Sequence, residues 1–184
     1  MLRIIAGKYR SQILKQPSKN TTRPTIDRVR EAIFSSIQFD IENKVFLDLF
    51  SGSGSFCLEA LSRNAKKAVC VERDYNAYKI ILENQKKLRE DNLKVFNTTA
   101  QRFLEQNLDY KFDYVYLDPP FADKELLLWC LDSIFEKRIL NDKGLVIVET
   151  DSGDFLASNK VYNIIKSKKY GKIFVYYIAY TQLK

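Results

Sequence analysis

From Lys44 onward, short apolar runs alternate with longer segments in which apolar residues recur at helical spacing. This alternation is typical of a parallel β-sheet that is covered by helices. It predicts five core strands, at residues 45–49, 68–72, 94–97, 112–118 and 144–150. It also predicts four helices, at residues 59–63, 75–89, 100–106 and 124–136. The chain is therefore expected to be an α/β protein with a doubly wound sheet.

The end of the chain predicts a further pair of strands. Residues 161–166 and 172–181 are strand-like and are joined through Tyr170-Gly171. A glycine turn between two such runs favours an antiparallel hairpin, which we place at the sheet edge. The sheet is then expected to have about seven strands, most of them parallel.

The start of the chain adds two smaller predicted pieces. Residues 3–14 predict a basic hairpin that turns near Gly7, and residues 25–37 predict an amphipathic helix with Thr25 as its N-cap. No linker-like tract separates these pieces from the core. We therefore expect one domain over residues 1–184, with residues 1–38 as an amino-terminal hairpin and helix appendage.

The composition excludes several kinds of chemistry. The chain has no histidine, which removes Ser-His and Cys-His triads and most transition-metal sites. Its three cysteines, Cys57, Cys70 and Cys130, show no CxxC pairing, so neither a disulfide framework nor a metal site is predicted. No apolar run approaches the roughly 18 residues of a membrane span, and no signal peptide is evident. A reducing, cytoplasmic location is expected.

The positive charge is concentrated at the amino terminus. Residues 1–30 carry eight basic side chains and one acidic side chain, Asp27. The net charge of this segment, +7, equals the net charge of the whole chain. A charged run is often only a solvated face, but this placement favours a polyanion, and nucleic acid first of all. Arg3, Lys8 and Arg10, which lie around the predicted hairpin, are the candidate RNA contacts.

A glycine-containing loop follows the first core strand, in the segment Asp48-Leu49-Phe50-Ser51-Gly52-Ser53-Gly54. Glycines at the carboxyl end of such a strand allow the backbone to approach a ligand closely. A dinucleotide fingerprint would require glycine at position 57, where the chain has Cys57. The Asp48 carboxylate would repel a phosphate but attract the amino group of S-adenosylmethionine. An ordinary strand-to-helix turn is the alternative.

Glu72 ends the second predicted strand, about 20 residues beyond the glycines. An acidic side chain at this position accepts hydrogen bonds from ribose hydroxyls in nucleotide-binding sheets. Taken alone, it would more often be a surface residue. Together with Asp48 and the two glycines, it indicates a cofactor site.

The fourth predicted strand ends in Asp118-Pro119-Pro120-Phe121, beside the expected cofactor cleft. A base amino nitrogen is a poor nucleophile, because its lone pair is conjugated into the ring. Asp118 and the Pro119 carbonyl can each accept an amino hydrogen where positive charge develops, and Phe121 offers a surface for an unstacked base. These four residues are the candidate catalytic group. The alternative is a pair of prolines that merely ends a strand.

These motifs and the segment Arg23-Pro24-Thr25-Ile26-Asp27-Arg28-Val29-Arg30-Glu31 together resemble the bacterial RsmD-type guanine-N2 methyltransferases of small-subunit ribosomal RNA. The resemblance runs from Arg3 to about Glu149. It implies a class I, Rossmann-like methyltransferase fold with S-adenosyl-L-methionine as cofactor. It also implies methylation of one guanine in 16S rRNA, within an assembled or assembling small ribosomal subunit.

The resemblance further implies roles for residues outside the two loops. Arg23 and Thr25 would hold the methionine end of the cofactor, and the segment from Asn97 to Ala100 would lie along its adenine. The predicted cofactor-binding set is Arg23, Thr25, Asp48, Phe50, Gly52, Gly54, Glu72, Arg73, Thr99 and Ala100. No metal ligand is predicted.

Other functions stay open on the residues alone. The Asp-Pro-Pro-Phe motif also fits methylation of adenine N6 or cytosine N4, and relatives of the motif act on glutamine side chains. A DNA methyltransferase with its motifs in this order along the chain usually carries a target-recognition domain, yet only about 60 residues follow Phe121. A non-catalytic RNA-binding module of the same fold is another alternative. A nicotinamide oxidoreductase is the third, and Cys57 argues against it.

Overall fold

The structure is a computed structural model that describes residues 1–17, 24–106, 109–120, 123–153 and 161–181, with only the backbone of residues 24–26. Within these residues the strands are β1 (Val45–Asp48), β2 (Lys67–Glu72), β3 (Leu93–Asn97), β4 (Phe112–Leu117), β5 (Leu140–Thr150), β6 (Tyr162–Tyr170) and β7 (Ile173–Tyr180). The helices are α1 (Pro24–Ser36), α2 (Ser55–Ser62), α3 (Tyr75–Leu88), α4 (Ala100–Gln106) and α5 (Lys124–Glu136).

The strands form one seven-stranded sheet in the order β3-β2-β1-β4-β5-β7-β6. Strands β1 to β5 pair in parallel, and β7 runs antiparallel between β5 and β6. The predicted α/β class and the carboxyl-terminal hairpin are confirmed. Because the strand order reverses between β1 and β4, a crevice is expected at their carboxyl ends, which is where ligands bind in such sheets.

Helices cover both faces of the sheet, and each face has its own apolar core. Side chains from α1, α2 and α3 pack on one face with Phe46, and side chains from α4 and α5 pack on the other with Leu47. The central strands are therefore buried on both sides, which explains why their sequences are almost continuously apolar. None of the described helices is long and apolar enough to span a bilayer.

The amino-terminal hairpin packs onto the carboxyl end of α2. Glu59 accepts hydrogen bonds from the backbone N–H groups of Ile5 (2.7 Å) and Ala6 (3.0 Å). The Lys8 N–H donates to the carbonyl of Ser62 at 2.8 Å, which satisfies one of the free carbonyls at that helix end. Leu2, Ile4 and Leu14 are buried in the same core as α2. Antiparallel pairing of Arg3 with Ile13 confirms the predicted hairpin.

Several predicted boundaries were wrong, among them the end of β6, which is Tyr170 instead of residue 166. Helix α2 begins at Ser55 instead of residue 59, because its first turn is buried on all sides and shows no helical period. Helix α1 begins at Pro24, so Thr25 is its second residue and not its N-cap; proline suits the first turn because it lacks an N–H. Strand β5 begins at Leu140, where polar residues hide the strand pattern.

Candidate active site

Hydrogen bonds hold the glycine loop between the carboxyl ends of β1 and β2. The N–H of Gly52 donates to Oε2 of Glu72 at 2.7 Å, and the N–H of Phe50 donates to Oδ1 of Asp48 at 3.0 Å. The Ser51 hydroxyl donates to the Asp48 carbonyl at 2.9 Å, and its N–H donates to the carbonyl of Val71 at 3.0 Å. The structure therefore brings together the two acidic residues and the loop that the sequence predicted as one site.

The two glycines of this loop do different things. Gly52 has a φ of +54°, and a Cβ built there would meet no atom within 4 Å, so bare backbone faces open space. Gly54 has a φ of +76° and precedes α2, and its Cβ would lie 3.0 Å from Cγ2 of Ile81. Gly52 thus leaves room for a ligand, whereas Gly54 allows the loop to pack on α3.

A cleft of about 300 Å³ lies beside the loop, on the β2 and β3 side of the crevice. Six residues of its lining belong to the predicted site: Phe50, Glu72, Arg73, Thr99, Ala100 and Pro120. The sequence reasoning missed six others: Leu49, Val71, Thr98, Gln101, Asp123 and Leu126. The mixed apolar and polar lining is typical of a small-molecule site.

Three carboxylates gather where β1, β4 and β5 end. Asp48 and Glu149 are 1% and 3% exposed, and Asp118 is partly buried. The pKa of Asp48 is raised to about 7, mainly by burial and also by the charges of Glu72 and Glu149, against the lowering effect of the Phe50 N–H. Burial, then the charges of Glu149 and Asp48, raise the pKa of Asp118 as well.

Glu149 is a site residue that the sequence analysis did not select. The Tyr116 hydroxyl donates to its Oε2 at 2.6 Å, and the Tyr116 ring stacks on Phe56 with centroids 3.9 Å apart. Burial raises the pKa of Glu149, although this hydrogen bond lowers it. A signal was present, since Glu149 is an acidic residue near the end of a predicted core strand, as Asp48 and Glu72 are.

No basic side chain of the described residues forms an ion pair with Asp48, Asp118 or Glu149. The crevice therefore has a negative potential and suits a cationic group. S-adenosylmethionine carries a positive sulfonium and a positive amino group. Together with the space left at Gly52, this charge means that the residues present fit that cofactor.

The remaining predicted site residues lie in several places. Pro119 is buried and Pro120 is exposed directly after β4. Phe121 and Arg23 fall outside the described residues, as does the Thr25 side chain. Arg3 and Arg10 are exposed, whereas the Lys8 ammonium pairs with Glu90 at 2.8 Å, below the carboxyl end of α2. The turn of the amino-terminal hairpin thus lies at the edge of the sheet opposite the crevice.

A sheet of this order, with an acidic, glycine-bordered crevice at its reversal point, defines the class I S-adenosylmethionine-dependent methyltransferases. The model of the family described as Conserved hypothetical protein 95 matches residues 2–179. The chain belongs to this family, and the resemblance stated from its motifs is confirmed.

Named relatives agree with this assignment. Ribosomal RNA small subunit methyltransferase D of Escherichia coli strain K12 is 36% identical over 150 residues, which cover 82% of this chain and 75% of the relative. The protein of that name from Haemophilus influenzae is 34% identical over 177 residues, covering 92% and 89%. The solved structure of the putative methyltransferase yhhF from Escherichia coli superposes with a TM-score of 0.87, at 31% identity, over 96% of both chains.

Proposed function

We propose that this protein methylates the exocyclic N2 amino group of one guanine in the 16S rRNA of the small ribosomal subunit. The observation that carries the proposal is the position of Asp118-Pro119-Pro120, which follows β4 at the reversal point of the sheet and adjoins the acidic crevice. The names of the small-subunit methyltransferase relatives support an rRNA substrate.

In the proposed complex, the chain holds the cofactor by charge and by shape. S-adenosylmethionine supplies a methyl group on a positively charged sulfur. Asp48 attracts the amino group at the methionine end, and the exposed backbone of Gly52 lets the ligand come close. Glu72 already accepts the N–H groups of Gly52 and Asp74, and its carboxylate has sites left for ribose hydroxyls. Thr99 and Ala100 border the space for the adenine.

The same crevice contains the groups that the amino nitrogen needs. Asp118 accepts one amino hydrogen and the Pro119 carbonyl accepts the other, which turns the nitrogen lone pair toward the methyl group. An amino nitrogen that took the methyl group, while the sulfur kept the electron pair of the broken sulfur–carbon bond and became a neutral thioether, would be positively charged and would then lose a proton. Asp118 stabilises that charge and receives the proton, for which its raised pKa suits it.

Nucleoside mass spectrometry of 16S rRNA tests the proposed target. We expect a strain that lacks this protein to lose N2-methylguanosine at one position, and a wild-type copy of the gene to restore it. Loss of N6-methyladenosine or N4-methylcytidine instead would overturn the choice of base. Unchanged rRNA nucleosides would overturn the proposal, and methylated DNA bases and protein glutamines would then be measured.

Cofactor affinity should depend on pH because of Asp48. Its pKa is about 7 in the free protein, and a bound cation lowers it, so binding releases a proton near neutrality. The affinity for S-adenosylmethionine should therefore fall by about tenfold as pH falls from 7.0 to 5.5. The amino group of the cofactor stays protonated over this range, so the change is due to Asp48. Calorimetry across this range measures the effect, and Asp48→Asn should remove most of it. A flat wild-type profile would contradict an ionised Asp48 in the complex.

A further inference from the structure

We propose that the tip of the β6–β7 hairpin binds the phosphate backbone of the substrate RNA beside the active site. The lysine tip consists of Lys166, Lys168, Lys169 and Lys172. This inference rests on the proposed function, because it assigns a binding surface to the proposed RNA substrate. It also differs from the sequence prediction, which placed the RNA contacts on the amino-terminal hairpin.

Strand register places the lysine tip at the active-site edge of the sheet. Lys168 pairs with Val175, which pairs in turn with Glu149. Lys169 is connected in the same way through Phe174 to Thr150, the last residue of β5. Strand β6 is three positions from β4, which is about 15 Å at the usual strand spacing. An RNA that presents a base to Asp118 therefore passes within reach of these lysines.

The lysine tip has the charge that this role requires. Residues 161–184 contain five lysines and no Asp or Glu, a local excess that the balanced total beyond residue 30 conceals. The four lysines of the tip are exposed, and no carboxylate of the described ranges forms an ion pair with them. Two are steadied by aromatic rings, with Lys166 over Tyr177 and Lys169 over Phe174, each 5.0 Å from the ring centroid.

Lysines on an edge strand also prevent edge-to-edge aggregation, and β6 is an edge strand. If the lysines served only to prevent aggregation, charged side chains would be expected along the whole of β6. The half of β6 farther from the crevice, residues 162–165, has no lysine, and Ile165 is 55% exposed there. The charge is instead confined to the half that approaches the active-site edge, which favours a ligand at that edge.

The turn of the amino-terminal hairpin and the lysine tip thus lie at opposite edges of the sheet. The turn of the amino-terminal hairpin lies at the carboxyl end of α2, and Lys8 is paired there with Glu90. A phosphate would have to compete with Glu90 for Lys8, whereas it meets no such competitor among the described neighbours of Lys168 and Lys169. The lysine tip is therefore better placed than Lys8 for RNA in the catalytic complex.

The test compares two double variants with the same change in charge. Lys168→Gln with Lys169→Gln alters the lysine tip. Lys66→Gln with Lys143→Gln alters two exposed lysines at the opposite edge, one just before β2 and one in the first half of β5. The probe is small ribosomal subunits purified from a strain that lacks this protein, and the readout is affinity as a function of potassium chloride.

Phosphate contacts release counterions, so each lost contact lowers the log-log salt slope by roughly one unit. We expect the tip variant to lose about two units and the control variant to keep the wild-type slope. Both should bind S-adenosylmethionine as the wild type does. Equal slopes in all three proteins would overturn the inference and leave edge protection as the role of the lysines. Equal losses in both variants would overturn it too, since the effect would then follow net charge.

The inference and the proposed function fail in different ways. If wild-type protein neither binds the subunits nor methylates their rRNA, the proposed function fails and the inference fails with it. If the wild type does both and the tip variant matches its control, only the inference fails.

Discussion

Replacement of Asp118 by alanine should lower methyl transfer by about 100-fold or more, the cost of losing one preorganised hydrogen-bonding group in a transition state. Asp118 is proposed to hold an amino hydrogen and to face the positive charge on the nitrogen, and both interactions are strongest in the transition state. Cofactor affinity should change much less, because the other acidic groups of the crevice remain. Single-turnover methylation of small subunits and calorimetry with S-adenosylmethionine measure the two effects.

Stability separates this loss of activity from misfolding. Asp118 is one of three close carboxylates, and burial and neighbouring negative charge raise its pKa, so its ionised form is unfavourable in the fold. The melting temperature of Asp118→Ala should therefore equal or exceed that of the wild type, as is common when a strained site group is removed. Asp118→Asn keeps one acceptor oxygen and should retain more activity. Transfer within a few-fold of the wild type in Asp118→Ala would show that Asp118 is structural.

Much of the fold could be predicted because each parallel strand is short and apolar and is followed by a helix of clear period. The prediction of helix bounds failed where a helix is buried on all sides, because its apolar residues then show no helical spacing. Helix α2 is an example, because every one of its residues is buried, and only residues from Glu59 onward were assigned to it. Strand β5 is the opposite case, since its first residue, Leu140, is followed by three polar residues and the apolar strand pattern starts only at Gly144.

The site was predicted where its residues come from consecutive strand ends. Asp48 and Glu72 could be paired because β1 and β2 are successive parallel strands and therefore end at the same edge. Glu149 required the strand order, since only the pairing of β4 with β5 shows that its strand ends beside Asp118. The lysine tip required the same information, because it depends on the antiparallel pairing of β7 with β5.

The ion pair of Lys8 could not be predicted from the sequence for a similar reason. The amino-terminal segment has the larger excess, yet its hairpin folds back so that its turn contacts the carboxyl end of α2. Lys8 is paired with Glu90, which lies 82 positions along the chain and is buried. A count of charges along the chain does not reveal such a pairing, because it depends on tertiary contacts.

Gly52→Val should reduce S-adenosylmethionine affinity by about 100-fold or more, which corresponds to the upper part of the overpacking range of roughly 1–3 kcal/mol. No protein atom lies within 4 Å of the position of a Cβ at Gly52, so the new side chain would enter the space proposed for the cofactor. The substitution also has a conformational cost of about 1–2 kcal/mol, because the φ of +54° lies in the left-handed region. A matched control is therefore needed for strain.

Gly171→Val provides that control. Gly171 has a φ of +61° and likewise no atom within 4 Å of a built Cβ, but it lies in the β6–β7 turn, three strands from β1 on the far side of β5. The two variants should lose similar free energy of unfolding in denaturant titrations, since both force a branched side chain into the same backbone region. Only Gly52→Val should lose cofactor affinity by calorimetry. If Gly52→Val kept full cofactor affinity, Gly52 would not be part of the binding site. If both variants lost affinity equally, the cause would be backbone strain.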